Sequence, residues 1–249
     1  MNLDLFDETA TANQPPFMLP NTAGYACEWN EKSNAFHITI PNGTLIYYES
    51  FFNKKISDRT VEYILENENQ HISPSHTSQL MPDQFKWRNI HWTQDKIHMF
   101  GKMVLLPRLS SWHGDSDKPY TFSGLTLQPN SWNKGLSYIK NAIEHVANVT
   151  FNSVLLNWYR DGNDHISWHT DAEKELGANP VIGSASFGET RRFILRRIDN
   201  KKEKLEIPLK HGTLLIMKGE TQRFWQHSVP KEKKVTGARF NLTFRNIKS

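Results

Sequence analysis

The sequence predicts a mainly β fold, α+β by content, in which an α/β lead-in precedes a β core within one domain. Three observations lead there. From residue 151 the chain reads SVLLNWY, VIGSASF, RRFILRR, EKLEIPL, GTLLIM and ARFNLTF, short β-rich runs parted by turn residues. Strands at that spacing build a sandwich, barrel or jelly roll. Hydrophobic residues make up 37% of 249, enough for a core and too many for a disordered chain. No repeat of about 20–50 residues breaks this texture, which excludes a solenoid or a propeller.

The elements follow in chain order. Residues 1–35, with Pro15, Pro16 and Pro20 among small polar residues, are expected to form a flexible tail, leaving 36–249 as the domain. FHITIPNGTLIYYESFF, starting at Phe36, reads as two strands around a Pro-Asn-Gly turn. Ser57 or Asp58 is the expected N-cap of a helix whose apolar side carries Val61, Ile64 and Leu65. Residues 69–84 read as a polar loop, 96–106 as a strand ended by Pro107, and 108–124 as irregular. Beyond Pro129-Asn130, the residues Trp132, Leu136, Ile139, Ile143 and Val146 recur at spacings of four and three, the apolar face of a helix.

The net charge of +4 is unevenly spread. Residues 1–50 hold six acids and one base, whereas 201–249 hold twelve bases and four acids. A basic C-terminal fifth invites a polyanion such as nucleic acid, although a solvated lysine-rich surface gives the same count. The acidic N-terminus lacks the basic and apolar regions of a secretory signal. No run of about 18 apolar residues occurs, so no membrane helix is expected. The expected location is cytoplasmic, or nuclear in a eukaryote. Cys27 is the single cysteine, which excludes an internal disulfide and a Cys-rich zinc site.

A metal site must then draw on His, Asp and Glu. Two His-x-Asp pairs occur, His113-Gly-Asp115 and His169-Thr-Asp171, and either can offer two ligands from one strand end or turn. The first lies in a Gly- and Pro-bounded stretch and reads as a surface turn. The second follows a predicted strand and has His227 downstream. Two His and one carboxylate form the facial triad of non-haem Fe(II) oxygenases. Arg239 and Arg245 are six apart in ARFNLTFRN, so a strand puts both guanidiniums on one face with Asn241 and Thr243. Two arginines aimed into a β core need an anion, and a dicarboxylate fits. A turn His/Asp pair, a core histidine and two surface arginines remain the plain alternative.

PRLSSWHGD, PYTFSGLTLQP, FNSVLLNWYRDGNDHISWHTDAE, SASFGETRRFILR, IPLKHGTLLIMKG, WQHSVP and RFNLTFR, taken together from Gly101 to Asn246, resemble the AlkB-type Fe(II)- and 2-oxoglutarate-dependent dioxygenases that repair alkylated nucleic acid. The resemblance implies a double-stranded β-helix (jelly-roll) core with helices packed outside. It implies that His169, Asp171 and His227 bind Fe(II), and that Asn157, Tyr159, Arg239, Asn241, Thr243 and Arg245 hold 2-oxoglutarate, with O2 as the other cosubstrate. The implied reaction is oxidative demethylation of 1-methyladenine and 3-methylcytosine, with 2-oxoglutarate converted to succinate and formaldehyde released.

For the substrate, the resemblance implies a nucleotide-recognition lid over about 96–125. Met99, Phe100 and Gly101 match a hairpin wedge, with a buried strand face as the alternative. Arg108 begins the lid, Phe122 stacks on the flipped base, Tyr120 and Ser123 line its pocket, and Glu173 meets its exocyclic amine. Lys231, Lys233 and Lys234 match a loop that grips phosphates. Trp168 is similar to members acting on single strands, and Ala172 stands where duplex-acting members often carry a second acid. The implied partner of a monomeric protein is DNA, with RNA a further substrate. An RNA- or protein-directed oxygenase and a non-catalytic nucleic-acid-binding module are the competing readings.

Overall fold

The computed structural model describes residues 14–68, 90–99, 102–118, 120–122 and 125–248. Hydrophobic alternation sets its layers. β1 (Ala26–Asn30), β2 (Ala35–Ile40) and β3 (Gly43–Tyr48) precede α1 (Lys54–Glu68). β4 (Lys96–Met99) and β5 (Lys102–Leu105) pair as a hairpin, followed by β6 (Leu109–Gly114) and the short β7 (Tyr120–Phe122) and β8 (Leu125–Leu127). α2 (Lys134–Ala147) leads into β9 (Ser153–Tyr159), β10 (Ile166–His169), β11 (Ile182–Gly188), β12 (Arg191–Arg197), β13 (Lys204–Leu209) and β14 (Leu214–Lys218). The short α3 (Thr221–Phe224), β15 (Trp225–Val229) and β16 (Arg239–Arg245) complete the order.

An eight-stranded antiparallel sheet runs β1-β2-β3-β14-β11-β16-β9-β6, and a four-stranded one runs β10-β15-β12-β13. One face of the large sheet takes the helices. Leu136, Ile139 and Ile143 of α2 are fully buried with Val154, Leu156, Ile216, Phe240, Leu242 and Phe244, each large apolar side chain contributing about 1.5–3 kcal/mol. The other face packs on the small sheet through Leu155, Tyr159, Ile182, Leu215 and Met217 against Phe193, Leu195, Ile207 and Trp225. Two facing sheets with helices outside match the jelly-roll expectation.

Several expectations change. Part of the predicted tail is regular structure, because residues 26–30 form β1, paired residue for residue with β2. Upstream of it, Phe17 stacks edge-on against Phe36 and Tyr47. Asn53 caps α1, accepting from Ile56 N at 3.0 Å; Ser57 is instead buried and donates to Phe52 O at 3.1 Å. The predicted loop at 69–84 lies outside the described residues. The stretch 108–124 contains two strands, β6 and β7, and β6 pairs fully with β9. Its polar residues hid it: Ser110, Ser111 and His113 are all buried. Nor is His113 on a surface turn. It is fully buried, with Nδ1 2.8 Å from Ser131 O and Nε2 3.1 Å from Ser111 Oγ.

Burial pushes the His113 imidazole below its ordinary range. The unfolded chain therefore binds a proton at about pH 6.5 that the native state refuses. The His113 contribution is complete above that pH and declines as pH falls through it. A His113→Gln variant should lose less stability than the parent between pH 7 and 5, read as denaturant midpoints.

β10 is irregular. Ile166 pairs with Val229 and His169 with His227, so three steps on β10 span two on β15, a one-residue bulge. No helix among the described residues is long and apolar enough to cross a membrane.

Candidate active site

Strand parity assembles the site. On β16, Phe240, Leu242 and Phe244 face the helices, which turns Arg239, Asn241, Thr243 and Arg245 toward the small sheet, as a six-residue spacing requires. On β9 the same alternation sends Asn157 and Tyr159 inward, and on β11 it sends Ser184. These side chains line one cavity with Arg108, His169, Asp171 and His227.

His169, Asp171 and His227 each offer a ligand atom, all within 4.8 Å of one another. The rings of His169 and His227 are 4.2 Å apart. His169 Nδ1 lies 2.8 Å from Ser167 O, which assigns it the proton and leaves the Nε2 lone pair for a metal. His227 Nε2 is 3.7 Å from Asp171 Oδ2. Gln222, in α3, accepts from Asp171 N at 2.9 Å and so orients the ligand loop.

The electrostatics suit a cation. Burial opposes the Asp171 charge, but Arg245 and the two histidines outweigh it and hold the carboxyl well below its ordinary range. Burial, with His169 beside it, pushes His227 down to about 3, and burial also lowers His169. At neutral pH the site thus presents two unprotonated imidazoles and one carboxylate, the donor set of a facial triad with open positions. Arg245 Nη2 donates to Asp171 Oδ1 at 2.7 Å, which leaves Oδ2 toward the histidines.

Arg239 behaves differently. It is 1% exposed, its Nη2 donates to Ser186 Oγ at 2.9 Å, and its Nε and Nη1 have no hydrogen-bond partner among the described residues. The Tyr159 ring lies 5.1 Å from the guanidinium carbon. Burial lowers the guanidinium to about 10, still charged at neutral pH. A buried cation with two idle donors is costly unless an anion meets it, and a carboxylate satisfies both.

Three other predicted residues are committed to the protein. Asn241 Nδ2 donates to Ser184 Oγ at 2.9 Å and Ala185 O at 3.0 Å, and its Oδ1 accepts from Thr243 Oγ1 at 3.0 Å. Asn241 and Thr243 therefore brace β16 against β11. Arg108, predicted to begin the lid, is 3% exposed and lines the cavity, and its Nε donates to Asn157 Oδ1 at 2.7 Å. That bond fixes the Asn157 amide with Nδ2 as its remaining donor.

Of the predicted substrate residues, Phe100, Gly101 and Ser123 lie outside the described residues. Met99 ends β4, and Tyr120 and Phe122 are two apart on β7. Glu173 precedes a short 3-10 turn, Lys174–Leu176. Lys231, Lys233 and Lys234 are exposed on the loop between β15 and β16. Ser184, Ser186 and Gln222 escaped the sequence reading. Only the alternating serines of SASF, small polar residues inside an apolar run, carried a signal.

Residues 50–245 match the family model described as the 2OG-Fe(II) oxygenase superfamily. The human alpha-ketoglutarate-dependent dioxygenase alkB homolog 3 is 47% identical over 150 residues, covering 57% of this chain and 52% of the relative. The human DNA oxidative demethylase ALKBH2 is 43% identical over 159 residues, 61% of each chain. Its Arabidopsis thaliana namesake is 35% identical over 200 residues, 67% of this chain and 64% of the relative. The chain thus spans about half to two thirds of the length of these curated relatives. A two-His, one-carboxylate centre, a buried arginine awaiting a carboxylate and this match over most of the sequence place the chain in the 2OG-Fe(II) oxygenase superfamily, in its AlkB-type branch.

Proposed function

We propose that this protein removes methyl groups from N-alkylated bases in DNA, 1-methyladenine and 3-methylcytosine, with RNA as a further substrate. The reaction couples to oxidative decarboxylation of 2-oxoglutarate to succinate and releases formaldehyde. The carrying observation is the His169/Asp171/His227 cluster in one cavity with Arg239 and its two unused donors. Bound Fe(II), with 2-oxoglutarate and O2, supplies the oxidising chemistry that no side chain provides.

The residues divide the remaining work. His169, Asp171 and His227 hold the metal on one face. Arg239 and Tyr159 anchor the far carboxylate of the cosubstrate, and Asn157 Nδ2 orients its 2-oxo-acid end. Arg245 acts through Asp171, keeping that ligand ionised and oriented. Burial between two sheets keeps water from the site. Tyr120, Phe122 and Ser123 on and beside β7, with Glu173, receive a base taken out of the stack, and Met99, Phe100 and Gly101 fill the gap it leaves. The three exposed lysines meet phosphates. The DNA substrate is supported by the relatives named as DNA oxidative demethylases.

The test is direct. The protein is incubated with Fe(II), 2-oxoglutarate and ascorbate on matched single- and double-stranded DNA and RNA oligonucleotides bearing one 1-methyladenine or 3-methylcytosine. Mass loss of one methyl, abolished in His169→Ala, is the expected result. Retention of the methyl on every oligonucleotide by metal-loaded protein refutes the reading.

A further inference from the structure

The lysines of the β15–β16 loop alternate with an acid, Lys231-Glu232-Lys233-Lys234, and that acid turns inward. Glu232 Oε1 accepts from Arg191 Nε at 3.1 Å and from Arg192 N at 3.0 Å, while Oε2 lies 3.3 Å from Arg192 Nε. Arg191 is 1% exposed at the start of β12. Its other nitrogens donate to Asp161 O at 3.0 Å, Asp164 O at 2.8 Å and Pro230 O at 2.6 Å. One guanidinium therefore ties the 160–165 loop, which leads from Tyr159 to the His169 strand, to the 230–238 loop that follows the His227 strand.

The backbones of the two loops also meet. Gly162 N donates to Val235 O and Glu232 N to Gly162 O, both at 2.8 Å. A Cβ at Gly162 would stand 1.8 Å from Glu232 O, so the approach tolerates no side chain. The lysines point the other way: none of the three forms an ion pair among the described residues, and all are exposed. Without Arg191 and Arg192 this acid would be free to pair with its own lysines. Here the acid is occupied from below.

We propose that Arg191 and Glu232 are positioning residues that hold Lys231, Lys233 and Lys234 as a preformed surface for a nucleic-acid backbone. This rests on the proposed function and extends it from which residues touch phosphate to what keeps them arranged. Preorganised cations bind a polyanion without the ordering cost that a loose loop incurs. Each phosphate contact contributes about 0.7–0.9 to the slope of log affinity against log salt.

The decisive variant is Glu232→Gln, because two accounts predict opposite signs. If only surface charge matters, removing an acid from among lysines tightens oligonucleotide binding. If Glu232 positions the loop, binding weakens by about three- to thirtyfold and the salt slope flattens by roughly one to two units. Glu232→Asp should recover part of the loss. Gly162→Ala, which pushes the loops apart without changing charge, should reproduce the phenotype. Binding is measured by fluorescence anisotropy of a labelled single-stranded DNA at several salt concentrations. In parallel, 2-oxoglutarate binding to the Mn(II)-loaded protein is followed by calorimetry and should be unchanged. Tighter DNA binding by Glu232→Gln, or equal loss of DNA and 2-oxoglutarate affinity, overturns the inference. A wild-type protein whose DNA binding ignores salt and Lys233→Glu refutes the nucleic-acid reading itself.

Discussion

Arg239→Met is expected to raise the melting temperature of the metal-free protein while nearly abolishing 2-oxoglutarate binding. The two effects have one cause. Arg239 is fully buried with Nε and Nη1 unmatched, so the empty fold bears the desolvation of a cation that only a ligand repays. A methionine of similar length fills the space without that penalty, and replacing buried ions by packed apolar groups is often neutral or stabilising by about 1–4 kcal/mol. In a chain of this size each kcal/mol moves the midpoint by about 2–4 °C. Removing one side of a buried charge pair costs binding about 2–5 kcal/mol, or roughly 30- to several thousandfold. Calorimetric titration of 2-oxoglutarate into Mn(II)-loaded protein, beside a thermal melt of the apoprotein, reads both. A lowered melting temperature would mean that the Ser186 and Tyr159 contacts already repay the charge.

Asp171→Ala should act in the opposite direction, removing metal and fold stability together. The substitution deletes one of three ligands and withdraws the carboxylate that faces Arg245 at 2.7 Å. Breaking such a buried pair from one side costs about 3–5 kcal/mol. Asp171→Asn keeps an acceptor for Arg245 and should lose the metal at a smaller cost to the fold. Metal content after dialysis and urea midpoints separate the two losses. Retention of stoichiometric Fe(II) by the alanine variant would remove Asp171 from the ligand set.

The residues that carry these expectations were unequally legible in the sequence. The parity of Arg239 and Arg245 follows from their spacing alone, because a strand repeats every two residues and nothing in the packing alters that. The His169-Thr-Asp171 pair could be separated from His113-Gly-Asp115 by its downstream company, although not by its own pattern. The different fates of the two arginines could not be read. Both point inward, yet which one meets Asp171 depends on where the loop after β10 returns, a long-range matter settled by Gln222 in α3. Arg108 likewise needed the β6–β9 register to be placed beside Asn157. β6 itself was hidden because its polar residues are buried with hydrogen-bond partners, Ser110 with Asp95 and His113 with Ser111 and Ser131, in a pattern that mimics a loop. Residues 26–30 were hidden because an edge strand with a small apolar share is stabilised by its partner, β2, rather than by its own composition.

The bulge in β10 gives the metal site a dependence on chain length as well as on residue identity. Without it, the pairing of Ile166 with Val229 would continue in step, and Trp168 would stand opposite His227 where His169 now stands. Deleting one residue between Ile166 and His169 would preserve all three ligands in the sequence and restore a regular ladder. Directly opposed residues share a face, so that shortened strand would keep the His169 ring beside His227, whereas straightening the full-length strand would turn it away, since a one-residue slip reverses every side chain. In the chain as it stands, the bulge is thus what admits His169 to the ligand set, because it takes up the residue that would otherwise leave Trp168 there.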